Sequence, residues 1–117
     1  MSFKIISTYT SQDGEQDGIL FRISEVNPEW EHKGILSHIT TNLMRKGYLK
    51  DDQSVNIPNL IDLLNQANII IKKESDNFSN FDTFFSGKIE FPSGKQQDIY
   101  IAQNETGRFT IMLPEDY

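Results

Sequence analysis

The last third of the chain alternates between apolar and polar residues. Phe85, Gly87, Ile89 and Phe91 take every second position of one run, Ile99 and Ile101 of the next, and Phe109, Ile111 and Leu113 of the third. A period of two places each set on one face of a β-strand. Pro92-Ser93-Gly94 and Asn104-Glu105-Thr106-Gly107 interrupt the runs with turn residues, and Gly107 suits a left-handed conformation. Short turns join antiparallel strands, so the segment predicts a three-stranded antiparallel meander with one apolar face. A slip of one residue would turn all of these side chains to the wrong face, which makes the register strongly specified. An apolar sheet face must also be covered.

The rest of the chain supplies the cover and further strands. Residues 3–9 read as a short strand. In residues 19–24, Ile19, Phe21 and Ile23 alternate with Leu20, Arg22 and Ser24, which predicts another strand with one apolar face. Ile35, Leu36, Ile39 and Leu43 fall on one stripe at helical spacing, and Gly47 is placed to end a helix there. A second helix is expected from about Pro58, a residue suited to a first helical turn, with Leu60, Ile61, Leu63, Leu64 and Ala67 as its apolar face. The β-branched run Ile69-Ile70-Ile71 is read as a strand, with a continuation of the helix as the alternative. The fold class that follows is α+β. A C-terminal meander and one or two N-terminal strands are covered by two helices, in a single domain over residues 1–117.

Composition narrows the chemistry. With no cysteine among 117 residues, disulfides, thiolate metal sites and thiol nucleophiles are excluded. The opening residues turn polar at Ser7, without the longer apolar stretch of a signal peptide, so a cytoplasmic location is expected. A net charge of −6 works against binding a phosphate backbone, and neither a nucleic-acid nor a membrane partner is expected. Acidity of this size mostly serves solubility.

No motif carries a recognisable reaction. Asp13-Gly14-Glu15-Gln16-Asp17-Gly18 resembles the opening of a calcium loop, but its twelfth position is Ser24 and Glu25 comes one residue late. An acidic turn is the simpler reading, and no metal or other cofactor is expected. His32 and His38 are six apart, which does not put them on one helical face, and both are read as surface or boundary residues. Ser37, His38, Thr40 and Thr41 are neighbours, but adjacent residues on a helix point apart. Asp51-Asp52 and Glu115-Asp116 are read as solvated ends.

The candidate contact residues are aromatic and acidic. Trp30, the only tryptophan, is flanked by Glu29 and Glu31 in a polar connection. With Asp13, Glu15 and Asp17 it forms a strongly acidic stretch suited to a basic protein partner. Phe78 and Phe81 lie among polar residues and either plug the core or mark a second contact point.

Three stretches taken together resemble a known family. They are 5–10 leading to Asp17-Gly18-Ile19-Leu20, then Gly34-Ile35-Leu36-Ser37-His38-Ile39-Thr40, then Phe109-Thr110-Ile111-Met112-Leu113-Pro114-Glu115-Asp116. They are similar to an uncharacterised bacterial family of small proteins carried on plasmids, prophages and other mobile elements. The resemblance implies a mobile-element setting and no catalytic residues. The expected function is therefore a non-enzymatic accessory protein that binds a protein partner, with inhibition of a bacterial defence system as one specific form. The alternative is a small enzyme or ligand-binding protein with a polar site around Thr8, Tyr9, Thr10, Asp17 and His38.

Overall fold

The computed structural model describes residues 19–26, 35–75 and 84–117. In chain order these residues form β1 (Leu20–Arg22), α1 (Ile23–Val26), β2 (Leu36–Thr40), α2 (Thr41–Met44), α3 (Ile57–Ser75), β3 (Phe84–Glu90), β4 (Gln96–Gln103) and β5 (Phe109–Met112). A 3-10 turn, Pro114–Asp116, follows. The strands make one five-stranded sheet in the order β1-β2-β5-β4-β3. Neighbours are antiparallel except β2 and β5, which run parallel. The expected strand at 3–9 lies outside the described residues.

The meander forms as the alternation demands. Ile101 sits opposite Phe85 on one side and Ile111 on the other, so the odd-numbered residues share a face. Phe85, Ile89, Phe91, Ile99, Ile101, Phe109, Ile111 and Leu113 are all buried in one core cluster. Gly94 and Gly107 adopt positive φ in the two turns. The cover is α3. Asn56 caps its start by accepting the N–H of Asn59 at 3.2 Å, and Leu60, Leu63, Leu64 and Ala67 are fully buried. Near its far end, Ile70 lies so close to β3 that a Cβ on Gly87 would come within 2.9 Å of its side chain.

The strand expected over residues 19–24 is shorter, Leu20–Arg22, because Ile23 and Ser24 open α1, and two further expectations about these elements are corrected. Residues 36–40 are a strand, and only Thr41–Met44 is helical. The helical-looking stripe arises from a bulge. Leu36 pairs with Phe109 and His38 with Thr110, so two steps along β2 match one along β5. Leu36 and Ile39 therefore both face the core although they are three residues apart, which is a helical spacing. The second correction is that 69–71 continue α3. Ile70 and Ile71 pack against the core one turn beyond Ala67, while Ile69 is 65% exposed. Packing overrides the β-branched preference there.

Gly47 holds a φ of 121° just after α2, as a glycine at a helix end should, with Pro92 against it. The neighbouring Tyr48 is fully buried, and its hydroxyl is the only buried side-chain polar atom without a partner among the described residues. Burial, reinforced by the nearby Asp62 carboxylate, pushes the Tyr48 phenol up from 10.0 to about 12. The unfolded chain thus ionises first. The fold is therefore undiminished by this group below pH 10.0 and loses stability as pH rises from there to about 12. The two-unit shift corresponds to roughly 3 kcal/mol. Tyr48→Phe is expected to raise stability near neutrality by about 1 kcal/mol by deleting an unpaired hydroxyl. It should also remove this part of the alkaline loss. Urea melts of both proteins across the alkaline range check it, and parallel pH profiles would refute it.

Candidate functional site

Side chains on the even-numbered positions of the meander point away from the core, onto the second face of the sheet. That face is divided. Over β2 and β5 it is closed: His38, Thr40, Thr110 and Met112 are all buried. Over β3 and β4 it is open, with Phe84, Ser86, Lys88 and Asp98 exposed. The closed half holds a polar cluster and the open half an aromatic one.

The polar cluster is built on the bulge. Ser37 and His38 are 8% and 3% exposed, and the Ser37 Oγ lies 2.7 Å from His38 Nδ1. Asn104, in the β4–β5 turn, donates from Nδ2 to Ser37 Oγ at 2.9 Å and to Thr110 Oγ1 at 3.0 Å. Its Oδ1 accepts the Thr106 N–H at 3.0 Å and the Thr106 hydroxyl, which folds the turn around the amide. The Ser37 hydroxyl also reaches the Phe109 carbonyl at 3.5 Å. His38 is therefore not the surface or boundary residue expected, because it sits on a strand whose second face is closed. Adjacent serine and histidine meet here because a bulged strand, unlike a helix, sets two successive residues opposite one partner.

A second polar link closes this half of the face. The Thr40 hydroxyl donates to Asp116 Oδ2 at 2.7 Å, and Asn42 Nδ2 donates to Oδ1 at 2.8 Å. Thr40 also caps α2 by accepting the Leu43 N–H at 3.4 Å. Asp116 is thus a half-buried clamp that folds the 3-10 turn over the sheet, where a solvated end was expected. Asp51, Asp52 and Glu115 are exposed, as read from the sequence.

The clamp delivers Tyr117 to the open half. Phe84, Tyr100 and Tyr117 form a triangle of edge-to-face rings, with centroids 4.9 Å apart for Phe84–Tyr100, 5.2 Å for Phe84–Tyr117 and 5.8 Å for Tyr100–Tyr117. Such contacts hold rings in place beyond simple burial. Phe84 remains 39% exposed and Tyr117 48% exposed. Beside them runs an open groove of about 380 Å³ lined by Ser86, Gly87, Lys88, Asp98, Tyr100 and Pro114. Lys88 and Asp98 are paired along it at 3.0 Å. The arrangement offers apolar rings, a cation and an anion on one rigid surface.

The residues proposed from sequence as contacts, Trp30, Glu29, Glu31, Asp13, Glu15, Asp17, Phe78 and Phe81, lie outside the described residues. So do Thr8, Tyr9 and Thr10, which leaves His38 as the described member of the alternative polar site. The aromatic triangle was missed, although its signal was present. Phe84 and Tyr100 occupy the parity opposite to the core residues of their strands, where solvent-facing positions are ordinarily polar. No protein-family model matches the chain, no curated protein is detectably similar to it, and no solved structure matches its fold. No helix among the described residues is long and apolar enough to cross a membrane.

Proposed function

We propose that this chain is a non-enzymatic accessory protein that acts by binding another protein, and that Phe84, Tyr100 and Tyr117 form its contact point. The observation that carries the reading is the triangle itself: three rings locked together, two of them substantially exposed. Aromatic residues are enriched among binding hot spots, and rigid rings lose little entropy on contact. The net charge of −6 favours a partner with a basic surface. The resemblance to a mobile-element family supports a bacterial setting in which that partner is a host defence protein. A second reading, a small-ligand or enzymatic site at His38, rests on the Ser37–His38 contact. The burial of both side chains counts against it, since a substrate must reach the reacting atoms.

The test is capture from bacterial lysate by the wild-type chain and by the Phe84→Ala, Tyr100→Ala, Tyr117→Ala triple variant, followed by titration of the captured protein. The triple variant is expected to bind at least about a hundredfold more weakly, the scale of two or more hot-spot truncations. Its core side chains are untouched, so its cooperative unfolding should persist. Equal affinity of the two proteins for the partner would place the contact elsewhere.

A further inference from the structure

The strand β3 ends the sheet, and among the described residues only β4 is paired with it. Backbone groups of an edge strand point alternately toward the sheet and away from it. Two bonds fix the phase. Phe91 N–H donates to the Lys95 carbonyl across the β3–β4 turn at 2.8 Å, so the residues two and four before it also face β4. Glu90, next along, faces outward and is held by Gln66 of α3: Glu90 N–H donates to Gln66 Oε1 at 2.8 Å, and Gln66 Nε2 donates to the Glu90 carbonyl at 3.0 Å. The Gln66 amide completes the ladder at that residue as another strand would. Asp62 steadies it by accepting from Nε2 at 2.8 Å.

Phe84, Ser86 and Lys88 share the outward phase of Glu90. No described residue meets their outward N–H and C=O groups, and all three side chains are exposed. An edge that the described residues leave unpaired in this way is a template for another strand. Among the described residues its free stretch runs from Phe84 to Lys88, and the Gln66 clip closes it at Glu90.

We propose that this edge pairs antiparallel with the same edge of a second copy of the chain, about a two-fold axis at Ser86. In that register Ser86 faces Ser86 of the other copy, and Phe84 faces Lys88 at both ends. Each of these pairs exchanges both N–H···O bonds. Lys88 lies opposite a phenyl ring, a favourable cation–π placement. The competing registers are poorer. Centring on Lys88 sets two ammonium groups face to face. Centring on Gly87 needs the backbone of Glu90, which Gln66 already occupies. The product is a continuous sheet with the second faces of both copies on one side, so it would present two aromatic triangles together. The pairing does not depend on the protein-binding reading above.

The experiment uses the purified chain without a partner. Sedimentation should show a mass near twice that of one chain, falling toward one chain on dilution. Ser86→Pro removes an outward N–H and leaves the β4 ladder intact. It should sediment at half the wild-type mass with an unchanged far-UV circular dichroism spectrum. Should proline disturb the fold, amide exchange of the wild type decides the matter. The amides of Phe84, Ser86 and Lys88 should be protected at high concentration and exposed on dilution, while that of Glu90 stays protected throughout. A wild-type chain that is monomeric at every concentration would overturn the proposal. So would a dimer whose Ser86 and Lys88 amides exchange freely. Protection of these amides only on adding the protein captured by the aromatic surface would assign the edge to that protein, and would also overturn it. Ser86→Pro keeps the three rings, so loss of pairing and loss of capture are read separately.

Discussion

Asn104→Ala is expected to lower the unfolding free energy by about 3 kcal/mol, a large effect for a half-buried polar residue. One amide supplies donors to Ser37 and Thr110 and an acceptor to Thr106. Its removal leaves two hydroxyls on the closed face of the sheet short of a donor and frees the β4–β5 turn. A single ordinary hydrogen bond is worth about 1 kcal/mol, so the sum separates a hub from an incidental contact. A double-mutant cycle with Ser37→Ala isolates the link to the bulge. The two changes should be non-additive by about 1 kcal/mol, since either one removes the same bond. Denaturant melts of the four proteins measure this. A loss below about 1 kcal/mol for Asn104→Ala, or strict additivity, would mean that the cluster does not act as a unit.

Gly87→Val should cost about 3 kcal/mol, the upper range for overpacking. Even a Cβ at Gly87 would meet Ile70 Cδ1 and Cγ1 at 2.9 Å and Cγ2 at 3.1 Å. Three atoms of a β-branched side chain cannot all swing away by one rotation. The helix itself must move, and with it Leu63, Leu64 and Ala67 in the core. In solution a valine would otherwise favour a strand, so its intrinsic preference works against the expected loss. The diagnostic experiment is relief by Ile70→Ala. That change alone should destabilise, yet in the Gly87→Val background it should recover part of the loss. A stable Gly87→Val variant, or one that Ile70→Ala makes still worse, would show that the helix is free to adjust.

The parts of this fold that a sequence displays are those where one physical rule acts alone. The meander could be read because Ile99 and Ile101, or Phe109 and Ile111, sit on strands whose pairings within the meander are regular and so keep a period of two. The strand at 36–40 could not. Its bulge at Ser37 adds a residue, and the apolar spacing it leaves between Leu36 and Ile39 is the spacing of a helix. Leu43, on the helical turn that follows, then extends the false stripe. The run at 69–71 presented two rules in conflict. Propensity favoured a strand, whereas the stripe Leu60, Leu63, Leu64, Ala67 carries on through Ile70 and Ile71 at helical intervals, and the stripe prevailed.

The candidate site was less legible, for a geometric reason. Phe84, Tyr100 and Tyr117 come from two strands and from the residue after a 3-10 turn, and their meeting depends on Asp116 reaching Thr40 and Asn42. That clamp joins positions 76 and 74 residues apart along the chain. The polar cluster has the same character. Ser37 and Asn104 are brought together by the parallel pairing of β2 and β5, and neither residue type signals it. The one local hint was parity, since aromatic residues stood at Phe84 and Tyr100 where the alternation called for polar ones.

The central strand of the sheet is the last of the five to be synthesised. A ribosome that has extruded the chain as far as Gln103 has released a β1–β2 ribbon and a β3–β4 hairpin, and these share no ladder with each other. Each has an inner edge awaiting the same four residues, Phe109–Met112. Until they arrive, Ile39 and Ile101 lack the neighbour that stands between them, Ile111. The sheet therefore closes by insertion of its middle rather than by growth from one side, and the parallel half of that step spans the distance from Leu36 to Phe109. Pairings this remote in sequence form slowly, because the loop must close before any contact rewards it. A nascent chain of this protein thus carries the open inner edge of β2 from Thr40 onward, and that of β4 beside it from Gln103, until Phe109–Met112 fill both.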